Sequence, residues 1–310
     1  MESVNRMAIE LVDEALDFAE ELGIGAYELD GGTTVLDFGV EFDGGIEAGL
    51  LLAEVQTAGL ATVQSRVREV GGATLPHVDL ATDHPAIALL CSQKAGWELT
   101  VDDFEGLGSG PARALVGQEA EFATVGYHDA FDLTALSIET TELPDESVAA
   151  HVADLTEVDP ASVYLLVHPT ASVVGSVTAA ARAAELAVFR LFELGYDPLD
   201  VVTASASAPV PPVPDDEATA IGRTADAVAY GGRVHLTVRE EIEQLDAVPS
   251  NASEAHGTPL VETFDDHDWS FDEIPPETFG PASVTIDVLG GSTRTAGEVR
   301  EDLLSASFGL

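Results

Sequence analysis

The apolar stretch at residues 162–195 constrains the fold more than any other part of the sequence. Residues 162–167 are mostly aliphatic or aromatic, and a continuous apolar run of this length is typical of a strand covered on both faces. Residues 177–194 are rich in Ala, Leu, Val and Phe and predict an interior helix, which Gly195 can end with a left-handed turn. Strands alternate with helices along the rest of the chain, so we expect an α/β protein.

Arg182 and Glu185 form a candidate charged pair within this apolar helix. Glu185 is the only carboxylate in residues 162–192 of a chain with 56 acidic residues, and Arg182 precedes it by three positions. On a helix this spacing places both side chains on one face, about one turn apart. A structural salt bridge is one interpretation, although buried ion pairs often cost stability. A functional site is the other, because a carboxylate held against a guanidinium in a dry cleft can act as a base or stabilise a cation.

The net charge restricts both the environment of the protein and its partners. The chain has 310 residues and a formal net charge of −44, yet 45% of its residues are hydrophobic, which is too many for a disordered acidic chain. Repulsion of this size becomes tolerable at about 1 M salt, where the screening length is roughly 3 Å. We therefore expect a halophile-type protein. We expect neither nucleic acid nor an anionic membrane as a partner, because both require basic patches.

The remaining composition indicates a cytoplasmic protein. Cys91 is the only cysteine, which excludes internal disulfides and suits a reducing compartment, and its apolar neighbours predict a core position. We expect no transmembrane segment, because charges interrupt every long apolar run, and no signal peptide, because the first residues are acidic and amphipathic. Asp83 and His84 lack a third ligand at a recognisable spacing, so we predict no metal site.

Lys94 is the only lysine, since eleven of the twelve basic residues are Arg. A lysine retained in such a chain is a candidate for a chemical or packing role that the planar fork of Arg cannot fill. Chance survival is the alternative.

The segment GLGSGPARAL at residues 106–115 is the clearest loop signal in the sequence. Small residues allow successive backbone N–H groups to converge, and Arg113 at a possible helix start adds positive charge. This combination suits an anion, although the spacing matches neither a P-loop nor a dinucleotide fingerprint. An ordinary tight turn is the alternative. Arg223 is a second scarce cation that lies beside glycine.

Other patterns predict the remaining elements and the domains. They indicate an amphipathic helix that ends at Gly23, a hairpin around residues 31–32, a capped helix at 145–155, an irregular proline-rich segment at 205–217 and a hairpin at 290–291. We place two domains at residues 1–155 and 156–310, with the glycine loop in the first and the apolar helix in the second, and we allow the chain to cross between them more than once.

Several motifs together resemble the methenyltetrahydromethanopterin cyclohydrolase family. They are TDHPA (82–86), SQKAGW (92–97), GSGPARAL (108–115), PTASVVGSV (169–177), the Arg182 and Glu185 pair, GRT (222–224) and the terminal SFGL. The likeness extends from residue 3 to the last residue in one order, and its specificity lies in the joint occurrence of these motifs.

The resemblance implies a homotrimer of two-domain α/β subunits with a pocket between the domains and no metal or redox cofactor. The implied reaction is the reversible hydrolysis of the methenyl bridge of methenyl-tetrahydromethanopterin to the formyl derivative. In the family, the residues that correspond to Arg182 and Glu185 serve catalysis, which favours the functional interpretation of this pair. We expect Lys94 to donate a proton or a hydrogen bond to the departing ring nitrogen, or to hold an intermediate.

The resemblance also directs attention to the anionic tail of the pterin carrier. We expect its binding groups to be basic, hydroxyl or backbone N–H donors, namely those of Gly108, Ser109, Gly110, Arg113, Ser172 and Arg223. The chain has Gln56 and Thr57 where family members tend to have a cysteine and methionine pair, and His168 where they have a small residue. The alternatives are the same reaction on a tetrahydrofolate-type carrier and a non-catalytic pterin-binding protein.

Overall fold

The structure is a computed structural model that describes residues 2–310, apart from the side chain of Asp272. The α-helices are α1 Val4–Asp17, α2 Ala19–Leu22, α3 Ile46–Gln56, α4 Arg113–Val116, α5 Ala120–Val125, α6 Glu146–Thr156, α7 Val173–Ala180, α8 Ala183–Glu193, α9 Glu217–Gly231, α10 Leu260–Asp266 and α11 Glu301–Phe308. The strands are β1 Gly25–Glu28, β2 Thr34–Asp37, β3 Thr62–Val70, β4 Ala73–Thr82, β5 Ala95–Val101, β6 Phe104–Ser109, β7 Thr134–Glu139, β8 Val163–His168, β9 Val201–Pro209, β10 Arg233–Val238, β11 Ser283–Val288 and β12 Thr293–Gly297. A π-helix occupies Ala86–Gln93.

The chain forms two compact units and passes between them three times. The first unit comprises Met1–Thr62 and Ile87–Thr178, and the second comprises Val63–Ala86 and Ala179–Leu310. These bounds differ from the predicted ranges 1–155 and 156–310. The physical reason is that β3 and β4 are early in the sequence but pair into the sheet of the second unit, and the hydrophobic pattern of a strand does not specify which sheet it joins.

The first unit is built on a six-stranded sheet with the strand order β1-β2-β8-β7-β6-β5. Strand β8 is parallel to both β2 and β7, and the outer pairs are antiparallel. Leu165 and Val167 belong to a core cluster with Val148 and Val152 of α6, whereas Leu166 belongs to a cluster that includes residues of α1 and α3. Both faces of β8 are therefore covered, as its continuous apolar sequence predicts.

The second unit contains a six-stranded sheet with the order β12-β11-β10-β9-β4-β3. The prediction of irregular structure at 205–217 is wrong for its first part, because β9 extends to Pro209 and pairs with β4 and β10. Proline is compatible with this position because it is the last residue of the strand. The hairpin predicted at 290–291 joins β11 and β12.

An aromatic cluster closes the core of the second unit beside α9, α10 and α11. The ring of Phe264 lies 5.5 Å from that of Trp269 and 5.3 Å from that of Phe271. Trp269 and Phe271 thus anchor a polar, acidic region of the chain. Within residues 2–310, no helix combines the length and the apolar character needed to cross a membrane.

Candidate functional site

The predicted apolar helix at 177–194 is in fact two helices, α7 and α8, with Ala181 and Arg182 in the turn between them. The end of α8 agrees with the prediction, because Gly195 has a left-handed φ of 86°. The break places Arg182 at the N-cap of α8 and Glu185 in its first turn. A carboxylate in the first turn interacts favourably with the unpaired backbone N–H groups and the dipole of the helix.

Arg182 and Glu185 form a buried, asymmetric ion pair. Arg182 donates from Nε at 3.0 Å and from Nη2 at 2.9 Å, and both hydrogen bonds end on the same oxygen, Oε2 of Glu185. The side chain of Glu185 is 2% exposed and that of Arg182 is 18% exposed. The predicted contact is confirmed, and it leaves Oε1 of Glu185 outside the ion pair.

A second pair on the same helix shows that spacing alone does not produce this burial. Arg190 and Glu193 are also three residues apart, with Nη1 3.3 Å from Oε2, but the side chain of Glu193 is 32% exposed. Arg190 also contacts Glu277 and the carbonyl oxygen of Ala247. The pair formed by Glu185 is therefore the one in α8 that holds a carboxylate away from water.

Lys94 follows the π-helix directly, and its backbone N–H donates to the carbonyl oxygen of Leu89, five residues earlier. Single π-helical turns are rare and often lie at functional sites. The Nζ atom of Lys94 is 2.7 Å from Oε1 of Glu121, and the two side chains are 14% and 3% exposed. Lys94 is thus held in a charged contact at the edge of the buried interior.

Arg113 is fully buried and its guanidinium is surrounded by acceptors. Its Nε donates to Glu119 at 2.8 Å, its Nη2 lies 3.5 Å from Oε1 of Glu121, and its Nη1 donates to the carbonyl oxygens of Leu90 and Ser92. The anion-binding role of Arg113 stays a prediction, and in this geometry its donors already have partners within the unit. Its charge is balanced by carboxylates of the same unit, and its exposed fraction is 0%.

The loop predicted for the glycine segment is wrong for its first part, which is a strand, and the anion-binding role of Gly108, Ser109 and Gly110 stays a prediction. Gly108 and Ser109 are residues of β6 and lie in register with both β5 and β7. Gly110, with a φ of 105°, ends the strand, and its N–H donates to the carbonyl oxygen of Ser92. A Cβ at Gly108 would lie 3.1 Å from the Cβ of Trp97. This glycine therefore permits close packing rather than a cradle of free N–H groups.

Two further predicted binding residues have structural partners. The hydroxyl of Ser172 donates to the carbonyl oxygen of Pro169 and accepts from the N–H of Gly175, so its only donor is used at the start of α7. Arg223 donates from Nε to the carbonyl oxygen of Ser307 and from Nη1 to that of Pro212. The binding roles of Ser172 and Arg223 stay predictions.

Cys91 is a core residue, as predicted. It is 0% exposed, and burial raises the pKa of its thiol to about 12, which disfavours the thiolate. Across the part of the chain that the structure describes, no group of three or more His, Cys, Asp or Glu side chains is placed to hold a metal ion.

Sequence reasoning missed Glu119 and Glu121, the acidic partners of Arg113 and Lys94. They lie at the start of α5, which the sequence does not distinguish from other short acidic segments. Among 56 acidic residues, the contact of Glu121 with the only lysine and of Glu119 with Arg113 is visible only in three dimensions.

Comparison with known proteins agrees with the motifs found in the sequence. The family model described as Cyclohydrolase (MCH) matches residues 3–308. A protein of Halobacterium salinarum named methenyltetrahydromethanopterin cyclohydrolase is 61% identical over 310 residues. Proteins of the same name from Methanothermobacter marburgensis and Methanosphaerula palustris are 41% and 38% identical, and all three alignments cover 100% of both chains. The resemblance is confirmed, and the chain belongs to the methenyltetrahydromethanopterin cyclohydrolase family.

Proposed function

We propose that this protein hydrolyses the methenyl bridge of methenyl-tetrahydromethanopterin reversibly to the formyl derivative. Full-length relatives that carry the name of this enzyme support the proposal. The structural observation that carries it is the buried ion pair of Arg182 and Glu185, in which both guanidinium hydrogen bonds end on Oε2. Such a pair leaves one oxygen of a buried carboxylate for chemistry.

The substrate calls for a carboxylate of this kind. A methenyl bridge between two nitrogens is an amidinium-like cation, and water has to add to its carbon. We assign Oε1 of Glu185 to accept a proton from the attacking water, while the negative charge of the same group stabilises the cationic bridge. Arg182 is assigned to orient the carboxylate, because its Nε and Nη2 fix the position of Oε2.

The proposed reaction balances without a further reactant. The oxygen of water forms a bond to the bridge carbon and gives one proton to Glu185. One carbon–nitrogen bond then breaks, the leaving nitrogen takes a proton for which Lys94 is our candidate donor, and the remaining hydroxyl loses its proton to become the formyl oxygen. A cation and water thus give a neutral formyl compound and one released proton.

We expect no metal or redox cofactor, since the bridge carbon has the same oxidation level in the methenyl and formyl compounds. We also expect a homotrimer in the cytoplasm. The single cysteine fits a reducing compartment, and light scattering in molar potassium chloride measures the number of subunits.

The direct test is the loss of methenyl absorbance in molar potassium chloride. We expect fast hydrolysis with the tetrahydromethanopterin carrier and much slower hydrolysis with the tetrahydrofolate carrier. Equal or faster turnover of the folate compound would contradict the proposed substrate and indicate a tetrahydrofolate-type carrier instead. Binding of the carrier without turnover would instead indicate a pterin-binding protein that is not an enzyme.

A further inference from the structure

Four charged side chains of the first unit form a continuous row that runs from the partly exposed Lys94 through Glu121 and the fully buried Arg113 to Glu119. Oε1 of Glu121 lies 2.7 Å from Nζ of Lys94 and 3.5 Å from Nη2 of Arg113. Oε1 of Glu119 lies 2.8 Å from Nε of Arg113. The row contains two cations and two carboxylates, so it is electrically balanced when Lys94 carries its charge.

We propose that Glu121 is a positioning residue for Lys94 and that Arg113 anchors both of them. The inference rests on the proposed function, in which Lys94 donates to the leaving nitrogen. Glu121 fixes the direction of the Lys94 ammonium through the 2.7 Å contact of Nζ with Oε1. Arg113 holds Glu121 in the place where it can do so.

Burial gives this arrangement its strength. Glu121 is 3% exposed and Arg113 is 0% exposed, so neither charge is compensated by bulk water. Breaking a buried pair by removing one partner leaves the other charge uncompensated, which is strongly unfavourable. The position of Lys94 is therefore coupled to both residues.

Arg113 is also connected to Lys94 through the backbone. Its Nη1 donates to the carbonyl oxygens of Leu90 at 3.2 Å and Ser92 at 3.3 Å, near the end of the π-helix. Carbonyl groups at a helix end require partners of this kind. One guanidinium thus holds both the carboxylate that Lys94 contacts and the backbone from which Lys94 projects.

The chain makes room for this guanidinium at Gly96. A Cβ at this position would lie 2.6 Å from Nε of Arg113 and 2.7 Å from Oε1 of Glu119. Only glycine lets the ion pair lie against the backbone two residues after Lys94. The motif SQKAGW therefore contains both the lysine and the space for its anchor.

The same geometry explains why this position holds lysine in a chain that otherwise uses only Arg. A compact ammonium can place one nitrogen against a single carboxylate oxygen. A planar guanidinium presents donors in a fixed fork, and Arg113 already occupies the buried side of Glu121.

A kinetic double-mutant cycle between Lys94 and Glu121 tests the proposal. We expect Glu121→Gln to lower kcat by about tenfold or more and to change KM less, as the loss of a group that acts in the transition state does. In the Lys94→Met background, the same substitution should change kcat by less than about twofold, because residues that act as a unit are not additive. Additive effects would overturn the proposal.

Glu119→Gln is the matched control, since it also removes a carboxylate from Arg113 but leaves the contact of Lys94 with Glu121. We expect it to keep kcat within about threefold of the wild type. An equal loss of kcat in Glu119→Gln and Glu121→Gln would show a general structural effect and overturn the proposal.

Glu121→Asp keeps the test informative where Glu121→Gln does not fold. It retains the charge but shortens the side chain, so we expect thermal stability closer to the wild type and a kcat between those of the wild type and Lys94→Met. A kcat equal to the wild type would contradict the inference.

An inactive wild-type protein would refute the proposed function itself, whereas an active wild type with unaffected Glu121 variants would refute only the positioning role.

Discussion

At the scale of single residues, the two oxygens of Glu185 have different tasks. Oε2 receives both hydrogen bonds from Arg182, and Oε1 lies outside the ion pair. In a symmetric, bidentate pair each oxygen would receive one of these two hydrogen bonds. The asymmetry makes Oε1 the oxygen that we assign to the attacking water.

Asp226 is a second buried acid, and it gives a prediction for the pH dependence of stability. It is 0% exposed, its Oδ1 accepts from the N–H of Leu260, and the side chain of Ser307 also interacts with its carboxyl group. Burial raises the pKa of Asp226 from 3.8 to about 7. Between about pH 4 and pH 7, the folded chain retains this proton while the unfolded chain releases it, so stability falls as the pH rises.

Asp226→Asn should remove this dependence. We expect its stability relative to the wild type to increase between pH 4 and pH 8 by up to about 4 kcal/mol, at about 1.4 kcal/mol per pKa unit. Denaturant unfolding of both proteins at fixed salt measures the difference. A difference that stays constant over this pH range would contradict a buried, protonated Asp226.

At the scale of elements, α3 and α7 approach closely at a glycine. A Cβ at Gly49 of α3 would lie 2.7 Å from the Cβ of Val177 and 3.3 Å from the Cα of Val174, both in α7. Such contacts require one helix to move. The approach therefore depends on the missing side chain and not on the flexibility of glycine.

Gly49→Ala should destabilise the protein by about 1–3 kcal/mol through overpacking. In an open helix the same change stabilises by roughly 0.5–1 kcal/mol, so the sign of the effect is diagnostic. Chemical denaturation measures it, with Glu47→Ala on the exposed face of α3 as the control that should stay within about 0.5 kcal/mol. A more stable Gly49→Ala protein would refute the close approach.

The elements that the sequence predicts well are those with a local physical cause. The continuous apolar run predicts β8, and Asp145 predicts the start of α6, where its carboxylate accepts from the N–H groups of Ser147 and Val148. The break between α7 and α8 has no such local cause, because Ala181 and Arg182 are both compatible with a helix. The glycines of β6 led to the wrong prediction of a loop. Glycine is suited both to a loop and to close packing against Trp97, so the sequence alone does not distinguish the two.

In the candidate site, too, the sequence predicts contacts with a local cause and misses contacts between residues that are distant in the chain. Arg182 and Glu185 were found because charge is rare in their apolar surroundings. The two carboxylate partners of Arg113, Glu119 and Glu121, could not be predicted because carboxylates are ordinary in an acidic chain. A contact between distant charges depends on the folded chain, so composition cannot supply it.

At the scale of the whole molecule, net charge governs the conditions under which the fold is stable. A formal charge of −44 on 310 residues favours expansion wherever the charges are not screened. The screening length falls from about 10 Å at 0.1 M salt to about 3 Å at 1 M.

We therefore expect the thermal midpoint to rise when potassium chloride is increased from about 0.2 M to about 2 M, across the range in which screening lengths become shorter than typical distances between surface charges. Scanning calorimetry at fixed pH measures the shift. A midpoint that is unchanged or lower at high salt would contradict the halophile interpretation.

The central claim is that the buried carboxylate of α8 performs the hydrolysis, and the most direct measurement compares kcat for Glu185→Gln and Glu193→Gln. Both substitutions remove a carboxylate that is paired with an Arg three residues earlier on the same helix. We expect Glu185→Gln to lower kcat by about 10²-fold or more, the scale of general acid–base catalysis, and Glu193→Gln to leave it within about twofold. A near-normal kcat in Glu185→Gln, or an equal loss in both variants, would contradict the claim.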